Sequence, residues 1–161
     1  MMIKIQILII VAITGLSLNA CKQNIKPSES PKTSLMKYGF PLDIITPEGV
    51  SIIKNKNAGA DNLIVTNNTD FNIQINMTDA ISNSLLEMKA RERENMKANP
   101  FFLKILEDYD DGFLFEYATQ NGIAYDFRLF KIQGSKTYTF QSGMTGQYTE
   151  SQIKNMIKSI R

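Results

Sequence analysis

Apolar and polar residues alternate along much of the chain, most clearly from Phe101 to Ser142. Phe71, Ile73, Ile75 and Met77 alternate with Asn72, Gln74 and Asn76, a period of two that predicts a half-buried strand over Asp70 to Met77. Upstream, Phe40 to Thr46, Val50 to Ile53 and Asn62 to Thr66 are short β-rich pieces, the first two parted by the turn signal Pro47-Glu48-Gly49. Downstream, Phe101 to Asp108, Gly112 to Thr119, Ile123 to Ile132 and Ser135 to Ser142 read as four strands. Tight turns at Asp110-Asp111-Gly112, Asn121-Gly122 and Gln133-Gly134 join them, and Asn121-Gly122 suits a type I′ hairpin. Alternation groups Phe113, Phe115 and Tyr117 with Tyr125, Phe127 and Leu129, and with Tyr138 and Phe140. The expectation is one continuous aromatic face that serves as core. Asp126 and Arg128 then share the opposite face, an exposed pair unless a second helix covers it.

Two segments switch to the helical period. Thr78 or Asp79 can cap a helix running to about Ala98, with Ile81, Leu85 and Met88 on one face and Glu87 placed to pair with Arg91. Its apolar stripe fades into Lys89-Ala90-Arg91-Glu92-Arg93-Glu94, a mixed-charge run that reads as a solvated face. Asn99-Pro100 stops it. At the C-terminal end, Thr149 and Gln152 form a capping box, and Ile153, Met156, Ile157 and Ile160 recur at i, i+3, i+4 and i+7. The predicted class is α+β: an antiparallel sheet with a C-terminal four-strand meander, packed by two main helices.

The first residues follow a different rule. Met1-Met2-Ile3-Lys4 is a short positive start, and Ile5 to Leu16 is an apolar run of about 12 residues, long enough for a signal-peptide core and too short to span a bilayer as a helix. From Lys22 to Ser34 the chain is rich in Pro, Ser and Lys, with a single Ile, and reads as a flexible tether. The expected organisation is a signal segment over 1–20, a tether over 21–34 and one α+β domain over 35–161. With 161 residues there is room for one ordinary domain. The 18 basic and 16 acidic residues are close to balance, closer still once Lys4 is removed, and give no support for nucleic acid as a partner. No histidine is present, so His-based triads and zinc proteases are excluded in their usual forms. The single Cys cannot form an internal disulfide or a multi-thiolate zinc site.

That cysteine ends Leu18-Asn19-Ala20-Cys21, which resembles the bacterial lipobox. The resemblance implies a diacylglyceryl group on the Cys21 thiol, cleavage before Cys21, and acylation of the new N-terminus. Two or more acyl chains hold a protein stably at a membrane. Lys22 stands where enterobacterial lipoproteins retained at the inner membrane carry Asp, so the resemblance favours the outer membrane, on its periplasmic face.

The order of elements beyond the tether also resembles a known layout. The Phe40-Pro41 opening, the Asn72 to Met77 strand feeding a helix over Ile81 to Ala98, and the closing hairpin and helix from Tyr138 to Ile160 are similar to the periplasmic DcrB lipoproteins and the wider PsbP-like fold. The similarity covers nearly the whole mature domain and is one of layout, with no residue-level signature beyond the lipobox. It implies a binding, chaperone or assembly protein without catalysis, and transfers no site.

Candidate chemistry is sparse. Glu107-Asp108-Tyr109-Asp110-Asp111-Gly112 concentrates acid, and Asp108, Asp110 and Asp111 are candidate Ca²⁺ ligands, although an EF-hand loop opening at Asp108 would need its closing Glu where Thr119 stands. The competing reading is a solvated hairpin turn with no metal. Asp110 and Glu116 are the pair that a glycosidase reading would use, with carboxyls about 5–10 Å apart. Gln141-Ser142-Gly143-Met144-Thr145-Gly146-Gln147 lacks the Lys of a phosphate loop, and no Gly-x-Ser-x-Gly elbow occurs. No catalytic residue is assigned, and nothing asks for a cofactor. The expectation is a non-enzymatic, membrane-anchored envelope domain that binds a protein or small ligand. An immunity-type inhibitor of a secreted toxin and a periplasmic hydrolase using Asp110, Asp111 and Glu116 are the alternatives.

Overall fold

The computed structural model of the chain describes residues 31–57, 60–144 and 146–161. The signal segment, Cys21, most of the tether and Thr145 lie outside the described residues. The elements run β1 (Lys32–Ser34), a 3-10 turn (Met36–Tyr38), β2 (Asp43–Ile45), β3 (Ser51–Asn57), β4 (Ala60–Thr66), β5 (Asn72–Asp79), α1 (Leu85–Lys97), β6 (Phe102–Tyr109), β7 (Gly112–Thr119), β8 (Gly122–Gln133), β9 (Lys136–Ser142) and α2 (Glu150–Ile160). Strands β3 to β9 form one sheet in the order β3-β4-β5-β9-β8-β7-β6, every pairing antiparallel, while β1 and β2 pair separately. The fold is α+β, a seven-strand antiparallel sheet with a two-strand sheet and two helices. No helix among the described residues is long and apolar enough to cross a membrane.

Folded structure begins earlier than the composition suggests. Lys32–Ser34, at the end of the stretch read as tether, pairs with Asp43–Ile45, and Leu35 is fully buried behind it.

The β5 strand likewise runs further than its apolar alternation. Thr78 and Asp79 stay in register with Thr137 and Lys136, and Lys136 Nζ meets Asp79 at 2.6 Å. Neither therefore caps a helix. Ser84 does, accepting the Glu87 N–H, and α1 starts at Leu85. Ile81 consequently lies before the helix and is 82% exposed, and the Glu87 carboxylate accepts the Ser82 hydroxyl instead of pairing with Arg91.

The aromatic residues do not share one face. Two-residue loops join β7 to β8 and β8 to β9, so paired residue numbers add to an odd total and odd positions of one strand face with even positions of the next. Phe113 and Phe115 are therefore opposite Arg128 and Asp126, while Leu114 is opposite Phe127. Leu129, Tyr138 and Phe140 keep to Phe127's face. The β7–β8 loop is Gln120-Asn121, and Asn121 is not among the residues with positive φ, so the expected type I′ turn is absent; Gly122 (φ 117) opens β8 in the left-handed region instead. At the other end of β7, Gly112 is needed for room: a Cβ there would sit 1.9 Å from the Arg128 carbonyl oxygen.

The larger face carries Leu63, Val65, Ile73, Ile75, Phe127 and Phe140. It is covered by Ile153, Met156 and Ile157 of α2 and by Phe40, Leu42 and Ile44 around β2. Each such side chain contributes up to about 1.5–3 kcal/mol on burial. The capping box of α2 forms as the sequence predicts, with Thr149 and Gln152 bonding reciprocally. The other face holds a smaller cluster, Phe113, Phe115 and Phe130 under Met88, the one buried residue of α1.

Candidate functional site

Because the hairpin register turns Asp126 and Arg128 toward α1, both lie under that helix, each side chain 15% exposed. Arg128 donates from Nη1 to Asp126 Oδ2 at 2.7 Å and to the Phe127 carbonyl at 2.8 Å. Its Nε sits 3.4 Å from Glu92 of α1, and the guanidinium stacks 5.5 Å from the Phe115 ring centre. The remaining Asp126 oxygen accepts the N–H groups of Phe127 (2.7 Å) and Ser142 (2.9 Å). The Ser142 backbone N–H, at the end of β9, thus ties that strand to β8. Burial, and then the Asp126 charge, pushes the nearby Tyr117 hydroxyl above its ordinary pKa. Both oxygens of Asp126 are thus occupied by donors.

The acidic turn is divided between the two faces of the sheet, because successive strand residues point in opposite directions. Asp108 faces α1, where Lys89 Nζ stands at 2.7 Å and Arg93 makes a second contact. The Arg93 hydrogen bond, followed by that of Lys89, holds the Asp108 carboxyl below the usual range. Glu107 faces α2: Lys154 Nζ is 2.6 Å away, and Tyr109 donates its hydroxyl to the other oxygen, also at 2.6 Å. These contacts, Lys154 first, hold Glu107 low. Burial and the Glu107 carboxylate push Tyr109 up to about 12. Asp111 reaches Arg161 at 3.6 Å.

The candidate Ca²⁺ ligands Asp108, Asp110 and Asp111 thus do not converge. No cluster of three or more His, Cys, Asp or Glu with metal-binding geometry occurs among the described residues. Asp110 and Glu116 are also apart. Glu116 lies four strand residues beyond Gly112, a rise of about 13 Å along β7 from the turn that holds Asp110, and contacts Lys104 at 3.5 Å.

The residues that sequence reasoning missed are Lys89, Glu92 and Arg93, read as part of a solvated run. With Leu85 and Met88 they occupy the inner stripe of α1 at i, i+3, i+4, i+7 and i+8. The signal was the continuation of that spacing with charge in place of apolar side chains.

Besides a small cleft of about 90 Å³ beside Glu92, two larger ones open among the described residues. One of about 370 Å³ separates the polar side of α2 from the segment after β2, lined by Thr46, Phe71, Asn155 and Lys158 among others. Another, about 620 Å³, lies between the start of α1 and the end of α2. Both mix apolar walls with a few polar groups, as small-ligand and peptide sites do. Compared with known proteins, the chain matches no family model and no curated protein.

Proposed function

We propose that the chain is a lipid-anchored, non-enzymatic binding or assembly domain of a bacterial cell envelope, with a PsbP-like layout similar to the DcrB lipoproteins. The observation that carries the binding reading is that Glu107, Asp108, Asp111, Glu116 and Asp126 are each engaged in an ion pair. The charges that could have formed an acid/base centre instead fasten helices and strands to one another, leaving clefts for a ligand.

The anchor half of the proposal rests on Leu18-Asn19-Ala20-Cys21 and on the apolar run before it. Cys21 precedes the first described strand, at Lys32, by a stretch that can reach no further than about 40 Å. The domain therefore works close to the membrane surface, and Lys22 favours the outer membrane. Replacing Cys21 by Ser tests this: labelled palmitate should no longer enter the chain, and the protein should leave the outer-membrane fraction. Retention of both properties in the variant would overturn the reading.

A further inference from the structure

Strand β8 is longer than its neighbour. Pairing with β7 ends at Gly112 opposite Leu129, while pairing with β9 continues to Gln133. The Phe130 N–H donates to the Asp111 carbonyl at 2.8 Å, which directs the backbone polar groups of Phe130 to the β7 side. Alternation sends the N–H and C=O of Ile132 to that same side. Beyond Asp111 no strand residue stands there, and among the described residues neither group of Ile132 has a partner.

The 620 Å³ cleft follows this open edge. Leu129, Phe140 and Ile160 wall it toward α2, and Leu85 and Phe130 wall it toward α1. Asp111 also lines it, and Asp111 Oδ1 is buried with no hydrogen-bond partner. Its other oxygen is engaged by Arg161, and a buried carboxylate oxygen without a donor is costly, so its place beside an open strand edge points to a missing donor.

We propose that this cleft takes an extended segment of a partner protein as an added strand in line with β7, pairing with Ile132 and giving a backbone N–H to Asp111 Oδ1. An extended backbone meets the N–H and C=O of Ile132 together, as a neighbouring strand does. Its alternate side chains would enter the two apolar walls, one on each side of the sheet. Lys131, exposed on the cleft lining while Arg161 is engaged by Asp111, selects a segment with an acidic residue beside its apolar ones. The inference deepens the binding-domain reading by naming the class of partner, and rests on that reading for a partner to exist.

The test pans a phage-displayed library of random octapeptides on the purified chain and measures resynthesised winners by fluorescence anisotropy. Enriched sequences should alternate apolar residues and carry acid. Affinity should fall at least tenfold when alternate peptide amides are N-methylated, and at least tenfold with Leu85→Glu. The exposed Lys131→Glu variant should keep the fold and lose the preference for acidic peptides. No enrichment, full tolerance of N-methylation, or unchanged binding by a folded Leu85→Glu variant would overturn the proposal. Concentration-dependent self-association that protects the Ile132 amide without peptide would also overturn it, assigning the edge to a second copy. No membrane enters the assay, so its failure leaves the anchored reading standing, and loss of anchoring leaves this one.

Discussion

Helices α1 and α2 cover opposite faces of the same sheet and are held there by different forces. Under α2 lies a continuous apolar cluster from five strands of the sheet and the segment around β2, and the helix inserts Ile153, Met156 and Ile157 into it. Under α1 the buried cluster is four residues, and much of the helix's inner stripe is ionic: Lys89 and Arg93 on Asp108, Glu92 on Arg128. The edge strand β6 serves both, sending Glu107 to α2 and Asp108 to α1. Burial is insensitive to salt and tolerant of geometry, whereas half-exposed ion pairs are weak and screened. The comparison teaches that α2 belongs to the cooperative core, and that α1 is the layer that can loosen without unfolding the sheet.

The sharpest break in this comparison should come from Phe140→Ala. That residue is 2% exposed at the centre of the α2 face, and its loss should cost about 3–5 kcal/mol, read as a lower midpoint in urea with both helices melting together. Arg128→Gln should act more locally, at about 1–3 kcal/mol, because it leaves Asp126 and Glu92 without their cation. Amide exchange in α1 should quicken while α2 stays protected; equal acceleration in both helices would erase the distinction.

The smallest effect is a pH effect with a defined sign. Asp108 and Glu107 are held below their ordinary values of 3.8 and 4.5. Their contribution is complete above those values and drains as pH falls through the lowered ones. Exchange measured on stepwise acidification below pH about 4.5 should show α1 opening before α2, since α2 keeps its buried stripe when Glu107 is protonated.

Strand positions were the readable part of this sequence. β7 falls where Gly112 to Thr119 alternate, and α2 where Thr149, Gln152 and the Ile/Met stripe put it, because both signals are local and strong. Faces were not readable from alternation within strands. Whether Phe115 shares a face with Asp126 or with Phe127 depends on pairing across a turn, and one residue of register exchanges the two. The same slip hid the candidate site. With Asp126 and Arg128 assigned to the face away from Phe115, nothing tied them to Glu92, and the charges of α1 looked like solvent-facing decoration. The start of α1 was missed for a tertiary reason: Thr78 and Asp79 are good caps locally, but pairing with β9 holds them extended.

The seven-strand sheet is made of two ribbons, β3 to β5 and β6 to β9, that share one line of strand pairing, β5 against β9. Within each ribbon, neighbouring strands follow one another within a few residues of sequence. The junction instead brings Ile73 beside Ser142 and Asp79 beside Lys136, residues far apart along the chain. Most of the entropy of long-range closure therefore falls on one contact line, and the ribbons can assemble early while their union waits. The chain thus has a built-in seam: the last line to zip during synthesis, and the first along which a tug between its two halves would part the sheet.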